Sequence, residues 1–386
     1  MAMLETNTSV SDEQKMLVKT VREITEKEFK PKAAELTDTG EFPFENMKVL
    51  GELGLLGISI PEEYGGSEGT VMDAVLILEE IAKGCYITAM AVLGEIGVQS
   101  KAIVAYGSEA IKQKYLPSIA KGQTTLAICI TEPNTGSDAA NMTTNAVDQG
   151  DHFVVNGVKT MISRADVADL FLMFTRFEGT PGHKGIGCIL IDKGTPGLHI
   201  KQGFKTMGGE YLWEVVLEDC IVLKENLLVL EDGFKKLMTA FNTQRCLNAS
   251  ICLGLAEGAF NEALSYTKER EQFGQPIADF QGIQWMLSEM YVDIEASKAL
   301  LYRAARNAGR GFPDKLEASI AKFHTNEMAI RVTNQALQLH GGYGYTKEYP
   351  VERMVRGARF GAIGGGTSQV QKNLIARELL KSKRVF

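Results

Sequence analysis

The hydrophobic period of this chain changes twice along its 386 residues, and a chain that does so cannot be one regularly alternating α/β layer. From about Ser9 to Gly122 apolar residues recur at helical spacing. Ser11-x-x-Gln14 reads as a capping box, with Leu17, Val21 and Ile24 following on one face. Met47–Leu56 and Met72–Cys85 read as further helices, separated by the loop Pro61-Glu62-Glu63-Tyr64-Gly65-Gly66. From about Gln123 to Glu231 the runs are short and β-branched or aromatic: His152–Met161, Leu170–Phe177, Gly187–Ile191 and Trp213–Leu217. From Gly233 the long helical period returns over Phe234–Arg270, Phe280–Ala308, Asp314–Gln338 and Gln369–Lys381, with Gly309–Pro313 as a Gly/Pro loop. The expected organisation is α, then β, then α, with boundaries at 1–122, 123–232 and 233–386. There is neither GxGxxG after a strand nor GxxxxGK[ST], so a nucleotide cofactor would sit outside a doubly wound sheet.

Composition narrows the function classes. Lys and Arg number 41 against 48 Asp and Glu, and no basic block is denser than Lys381-Ser382-Lys383-Arg384, which argues against nucleic acid. No uninterrupted apolar run of membrane-spanning length and no signal peptide is read, so neither membrane insertion nor secretion is expected. The six cysteines (85, 129, 188, 220, 246, 252) are scattered and read as small buried residues of a reducing cytoplasm. The five histidines form no metal-binding spacing, so no metal is expected.

Four segments carry polar or glycine-rich chemistry. The strand-like run Leu126–Ile130 ends in Thr131-Glu132-Pro133-Asn134-Thr135-Gly136-Ser137-Asp138, whose hydroxyls and N–H groups suit a flavin edge or a pyrophosphate. Arg270-Glu271-Gln272-Phe273-Gly274 follows a long helix, with Arg270 closing it and available to a phosphate. Gln338-Leu339-His340-Gly341-Gly342 lets a ligand approach the backbone, and Gly364-Gly365-Gly366-Thr367-Ser368-Gln369 offers a cap and N–H groups at the last helix. Taken singly, each also reads as an ordinary turn or helix cap.

In this order and spacing the four segments, with Asp12-Glu13-Gln14, Ile60–Gly66 and Ala105-Tyr106-Gly107-Ser108-Glu109, resemble the acyl-CoA dehydrogenase family over essentially the whole chain. The resemblance implies an α+β protein: a helical N-terminal domain, a central β-barrel and a C-terminal four-helix bundle, assembled as a homotetramer (a dimer of dimers). It implies FAD as cofactor, an acyl-CoA thioester as substrate and an electron-transfer flavoprotein as electron acceptor. Ile130 and Thr131 would contact the flavin ring, with Gly136 and Ser137 near the CoA chain. Met161-Ile162-Ser163 stands where the family has Trp-Ile-Thr, so Ser163 keeps a hydroxyl near N5 while Met161 replaces the stacking aromatic. Arg270, Gln272 and Phe273 would reach the neighbouring subunit's FAD. Gln338, Gly341 and Gly342 would hold its ADP portion, and Thr367 and Gln369 the end of the cofactor. Asn242 and Arg245 would lie on the helix that contacts CoA.

The pattern breaks at the catalytic base. Family members carry a glutamate just before the last Gly-Thr or, in a minority, just before the helix arginine; here those positions are Gly365 and Gln244. A neutral amide offers no basicity at neutral pH. One implied alternative is 1,4-dehydrogenation of a cyclic, already unsaturated acyl group such as cyclohex-1-ene-1-carboxyl-CoA, with the base on the helical N-terminal wall. Glu95, the only acid between Glu80 and Glu109, is the candidate, with Lys83 and Lys101 as surface partners if it is merely structural. A second is base-free desulfination of a 3-sulfinopropionyl-CoA type, whose Gln-Arg and Gly-Gly-Thr pattern this chain shares; that chemistry wants a cation in the same wall, and Ile87-Thr88-Ala89-Met90 supplies none. A third is a non-catalytic protein that binds FAD and CoA. Trp213 and Trp285 read as core residues, and His340 as a proton relay or a backbone-bonded side chain.

Overall fold

The computed structural model describes residues 10–177 and 182–381, so Ser382, Lys383 and Arg384 lie outside the described residues. The chain forms two compact units. One comprises the chain to Thr39, Thr70–Met90 and Arg245 onward; the other comprises Gly40–Gly69 and Ala91–Gln244.

The second unit is built on a mixed eight-stranded sheet: β1 (Leu126–Cys129), β2 (Asn145–Asp148), β3 (His152–Ser163), β4 (Leu170–Phe177), β5 (Ile186–Asp192), β6 (Leu198–Lys205), β7 (Tyr211–Leu223) and β8 (Leu227–Val229). Its order is β6-β7-β3-β2-β4-β5-β8, with β1 parallel to β4. β4 and β5 read as continuous apolar runs because nearly every residue of both is buried. The longer β3 and β7 alternate, placing Phe153, Val155, Val215 and Leu217 in the core. Between Lys159 and Ile162 the β3–β7 register slips by one residue, and Met161 at this bulge has φ +58° and stands 49% exposed. Beside the sheet, Tyr64 donates a hydrogen bond to Glu109 (3.0 Å), joining two of the segments that carried the resemblance.

The first unit is helical. Ser11 and Gln14 form the expected capping box, and Thr70 with Asp73 forms a second at the start of Val71–Gly84. Gln281–Ala308 and Lys315–Leu339 are joined through Gly309–Asp314, where Asp314 accepts from the N–H groups of Leu316 and Glu317. Ser368–Lys381 is capped by Thr367, whose hydroxyl accepts from Val370 N (3.2 Å). The 37-residue helix Gly233–Glu269 passes closely over Val71–Gly84: a Cβ at Gly254 would stand 2.2 Å from the carbonyl oxygen of Glu79.

Several expectations need correction. Helix Gly233–Glu269 ends one residue before Arg270. Gln272-Phe273-Gly274-Gln275 is instead a two-residue hairpin turn, with φ +55° at Phe273 and +81° at Gly274. Trp285 is 61% exposed rather than in the core, whereas Trp213 packs against the sheet core. Tyr86–Tyr106 reaches the length and mean hydropathy of a membrane span, but it carries Glu95 and Lys101, is broken at Gly97, and 89% of the window is buried inside the protein. All six cysteines are free and buried.

Gly254→Ala is expected to destabilise the protein by about 1–3 kcal/mol through overpacking. Gly282→Ala, at a helical glycine with open space around it, should be neutral or stabilising by up to about 1 kcal/mol. Urea denaturation midpoints of the two variants check this.

Candidate active site

The loop after β1 is fixed by a buried ion pair. Lys159 points inward from β3 and is fully buried, and its Nζ donates to Glu132 Oε1 (2.9 Å) and to the carbonyl of Ile130 (3.1 Å). Glu132 also accepts from Thr143 N (2.6 Å), Thr143 Oγ1 (2.8 Å) and Thr144 N (2.8 Å). Burial pushes the Glu132 carboxyl up, but Lys159 and these donors outweigh it and bring it down to about 2. Thr160 N donates to the carbonyl of Thr131 (2.9 Å), so Thr131 is tied directly to the strand that carries Met161 and Ser163. The structure thus brings Ile130, Thr131, Met161 and Ser163 together. Gly136 and Ser137 lie on the exposed part of the same loop, and a Cβ at Gly136 would meet nothing within 4 Å.

The expected residues of the helical unit fall at two places. Arg270 lies over the Tyr343 ring (5.9 Å), which brings the Gln272-Phe273 hairpin near the Gln338–Gly342 segment. Gln272, Phe273, Gln338, Gly341, Gly342 and Gln369 are all exposed. His340 is buried, stacked on Tyr266 (4.3 Å), with Nδ1 2.8 Å from the carbonyl of Ala336; this is the backbone-bonded role. At the other place, Gly365 faces Lys322 and Asn248. Arg245 is buried and its pKa is lowered by burial to about 10; Asn242, in the sheet-bearing unit, is also buried.

Glu95 is neither solvent-facing nor paired with Lys83 or Lys101. It is 2% exposed on helix Tyr86–Ile96, and its Oε1 accepts from Arg164 Nη1 (3.2 Å) and Leu126 N (3.3 Å). Its Oε2 is buried and has no hydrogen-bond partner. Burial raises the Glu95 carboxyl to about 7 despite Arg164 and the Leu126 amide, which both pull it down. The same burial lowers Arg164, so desolvation works against both partners of the pair. Arg164 directly follows Ser163, has φ +61°, and also donates to the carbonyl of Ala91 (2.9 Å). Only a glycine at position 94 admits it, since a Cβ there would stand 1.4 Å from Nη1. Glu95 also lines a cavity of about 600 Å³ with Phe42, Met47, Leu56 and Thr125.

Arg164, Lys159 and Glu132 were not singled out by sequence reasoning. The signal for Lys159 was a lysine inside a strand run, in step with the apolar Phe153 and Val155; for Arg164 there was no local signal, because its partner lies 69 residues away. Gln244, at the alternative base position, is in structural use: its Oε1 accepts from Val98 N (3.4 Å) at the start of helix Val98–Tyr106.

Comparison with known proteins decides the family. The profiles of the acyl-CoA dehydrogenase N-terminal, middle and C-terminal domains match residues 11–123, 127–220 and 231–380. The chain belongs to the acyl-CoA dehydrogenase family. Over 97% of its length and 99% of the relative's, it is 42% identical to the short-chain-specific acyl-CoA dehydrogenase of Clostridium acetobutylicum. It is 40% identical to the 3-sulfinopropanoyl-CoA desulfinase of Variovorax paradoxus, over 94% of this chain and 93% of that one. Among solved structures, butyryl-CoA dehydrogenase from Megasphaera elsdenii superposes with a TM-score of 0.94 at 34% identity, over 99% and 100% of the two chains. A chain solved in work on the electron transferring flavoprotein of Acidaminococcus fermentans gives 0.94 at 37% identity, over 97% and 99%.

This acyl-CoA dehydrogenase is a flavoprotein oxidoreductase with FAD as its cofactor. Its residues fit that group. Within the sheet-bearing unit the Thr131 and Ser163 segments form one hydroxyl-bearing wall, and Gly136 has open space around it. Bound FAD supplies the redox chemistry; the chain supplies position and proton handling.

Lys159→Met is expected to cost about 3–5 kcal/mol, because it leaves the Glu132 charge buried without its partner. Since the folded Glu132 value lies below the ordinary carboxylate range, the wild-type contribution is present above about 4.3 and fades as pH falls toward 2. Denaturation at pH 7 and pH 3 should show the variant's deficit shrinking in acid. In Arg164→Gln, loss of the adjacent cation should move the Glu95 titration above 7, read by carboxyl 13C NMR.

Proposed function

We propose that this flavoenzyme dehydrogenates a cyclic or already unsaturated acyl-CoA, of the cyclohex-1-ene-1-carboxyl-CoA type, with Glu95 as its displaced base. The observation that carries the reading is the state of Glu95: a buried carboxyl near 7, with one oxygen unpartnered, ion-paired to the residue after Ser163. A base is most useful when its pKa lies near working pH. The two usual base positions hold Gly365 and Gln244, neither of which accepts a proton at that pH. Arg164 keeps the carboxyl from rising further and holds Oε1, leaving Oε2 to take a proton from the substrate ring. The cavity beside Glu95 then gives that proton a way to water.

Ser137, Asn242, Arg245 and Gly365 are proposed to contact the CoA thioester. The roles of Ile130, Thr131, Gly136, Met161, Ser163, Arg270, Gln272, Phe273, Gln338, Gly341, Gly342, Thr367 and Gln369 toward FAD are proposals of the same standing. An electron-transfer flavoprotein is the proposed acceptor. It is supported by the likeness to the Acidaminococcus fermentans chain and to a caffeyl-CoA reductase–Etf complex subunit of Acetobacterium woodii. A homotetramer in the cytoplasm is the proposed assembly and location.

Desulfination of a sulfinated acyl-CoA is the second reading. It is favoured by the likeness to two desulfinases at 40% and 39% identity, and by the same Gln244-Arg245 and Gly365-Gly366-Thr367 pattern. Anaerobic mixing of the holoenzyme with butyryl-, cyclohex-1-enecarboxyl- and 3-sulfinopropionyl-CoA separates the readings. Flavin bleaching with the cyclic thioester, slowed at least about 100-fold in Glu95→Gln, is expected for general-base catalysis. An unimpaired Glu95→Gln would remove the base assignment, and sulfite release without bleaching would establish the second reading.

A further inference from the structure

The helical unit has a hollow at Gly365. Gly365 has φ +66°, and the atoms nearest to its would-be Cβ are Lys322 Cε (3.6 Å) and Asn248 Nδ2 (3.8 Å). Both side chains are fully buried, Lys322 at 1% exposure and Asn248 at 0%. Their acceptor partners are already committed. Lys322 Nζ donates to the carbonyl of Gly361 (2.8 Å), to which Asn326 Nδ2 also donates (2.7 Å). Asn326 Nδ2 donates as well to Asn248 Oδ1 (2.8 Å), which fixes the Asn248 amide with its nitrogen toward Gly365.

That nitrogen has no hydrogen-bond partner. Lys322 makes no ion pair among the described residues, although an ammonium carries three donors. An unpartnered buried amide beside a buried lysine without an ion pair is a donor pair that an acceptor would satisfy. The donor set is all N–H, and its geometry suits an oxyanion rather than a cation or an apolar group.

We propose that the hollow at Gly365 binds a small oxyanion, a carboxylate or sulfinate, between Lys322 and Asn248. The oxyanion comes either from solution or from the acid end of an acyl-CoA, and only the second source rests on the CoA-thioester reading above. The charge environment agrees. Burial, with a smaller contribution from Arg245, lowers Lys322 to about 7 against the opposing pull of Cys252 and Glu327. An anion binds the protonated amine, so affinity falls as pH rises through that value.

Calorimetric titration of the holoenzyme with sodium acetate, sodium methanesulfinate, succinyl-CoA and butyryl-CoA tests the site. Saturable binding of either free anion, or a preference of about tenfold for succinyl- over butyryl-CoA, is expected, the factor that one charge-assisted hydrogen bond supplies. Free-anion binding identifies a solution anion, and a succinyl preference identifies the acyl end. Either effect should disappear in Asn248→Asp, which keeps the acceptor for Asn326 but repels an anion, and in Gly365→Glu, which fills the hollow with its own carboxylate. Absence of both effects, or their survival in both variants, overturns the proposal. Binding of butyryl-CoA in the same series leaves the CoA-thioester reading standing whichever way the anion result falls.

Discussion

The buried pair Lys159–Glu132 is the contact on which the joining of the loop after β1 to β3 depends. A lysine on the inner face of a strand is costly to desolvate, and it persists here because Glu132 and the Ile130 carbonyl accept from its ammonium while Thr143 and Thr144 donate to the Glu132 carboxylate. The return is positional. The pair locks the loop after β1 to β3, and the adjacent Thr160–Thr131 bond sets two hydroxyl-bearing segments at fixed spacing. A hydrophobic replacement would fill the volume but would not specify which carbonyl and which turn the loop must present.

Neither position at which the family resemblance implies a base holds a carboxylate. At one usual base position Gln244 serves as a hydrogen-bond acceptor at a helix start; at the other, Gly365 leaves a donor-lined hollow. Glu95 is buried in the sheet-bearing unit as Glu132 is, but its environment keeps it between two extremes. Burial alone would hold it neutral, and a fully formed ion pair would hold it charged; Arg164 on one oxygen only leaves it near neutrality. Gly94 makes the compromise sterically feasible, because the guanidinium occupies the volume that any side chain there would claim.

The unequal legibility of these features follows from how each is encoded. The Ser11 capping box, the long helices and the apolar strands β4 and β5 are local or periodic, so they are visible in the letters. β6 and the helix Val351–Ala358 were missed: β6 has an irregular, largely exposed pattern, and the helix is short and lies between glycine- and proline-rich stretches. The hairpin turn at Phe273-Gly274 is not legible locally, because a glycine after a helix signals a C-cap as readily as a two-residue turn. Trp285 was misassigned because an amphipathic helix can present an aromatic residue to solvent without disturbing its period.

The sequence by itself determined the family, the order of helical and β segments and the absence of a carboxylate at Gln244 and Gly365. All of these are properties of residue identity along the chain. Tertiary structure decided what the remaining charges do. It paired Glu95 with Arg164 across 69 residues, enclosed Lys159 with Glu132, and aimed the Asn248 amide at Gly365. The reason is physical: desolvation and ion pairing depend on distances in space, and spacing along the chain does not specify them.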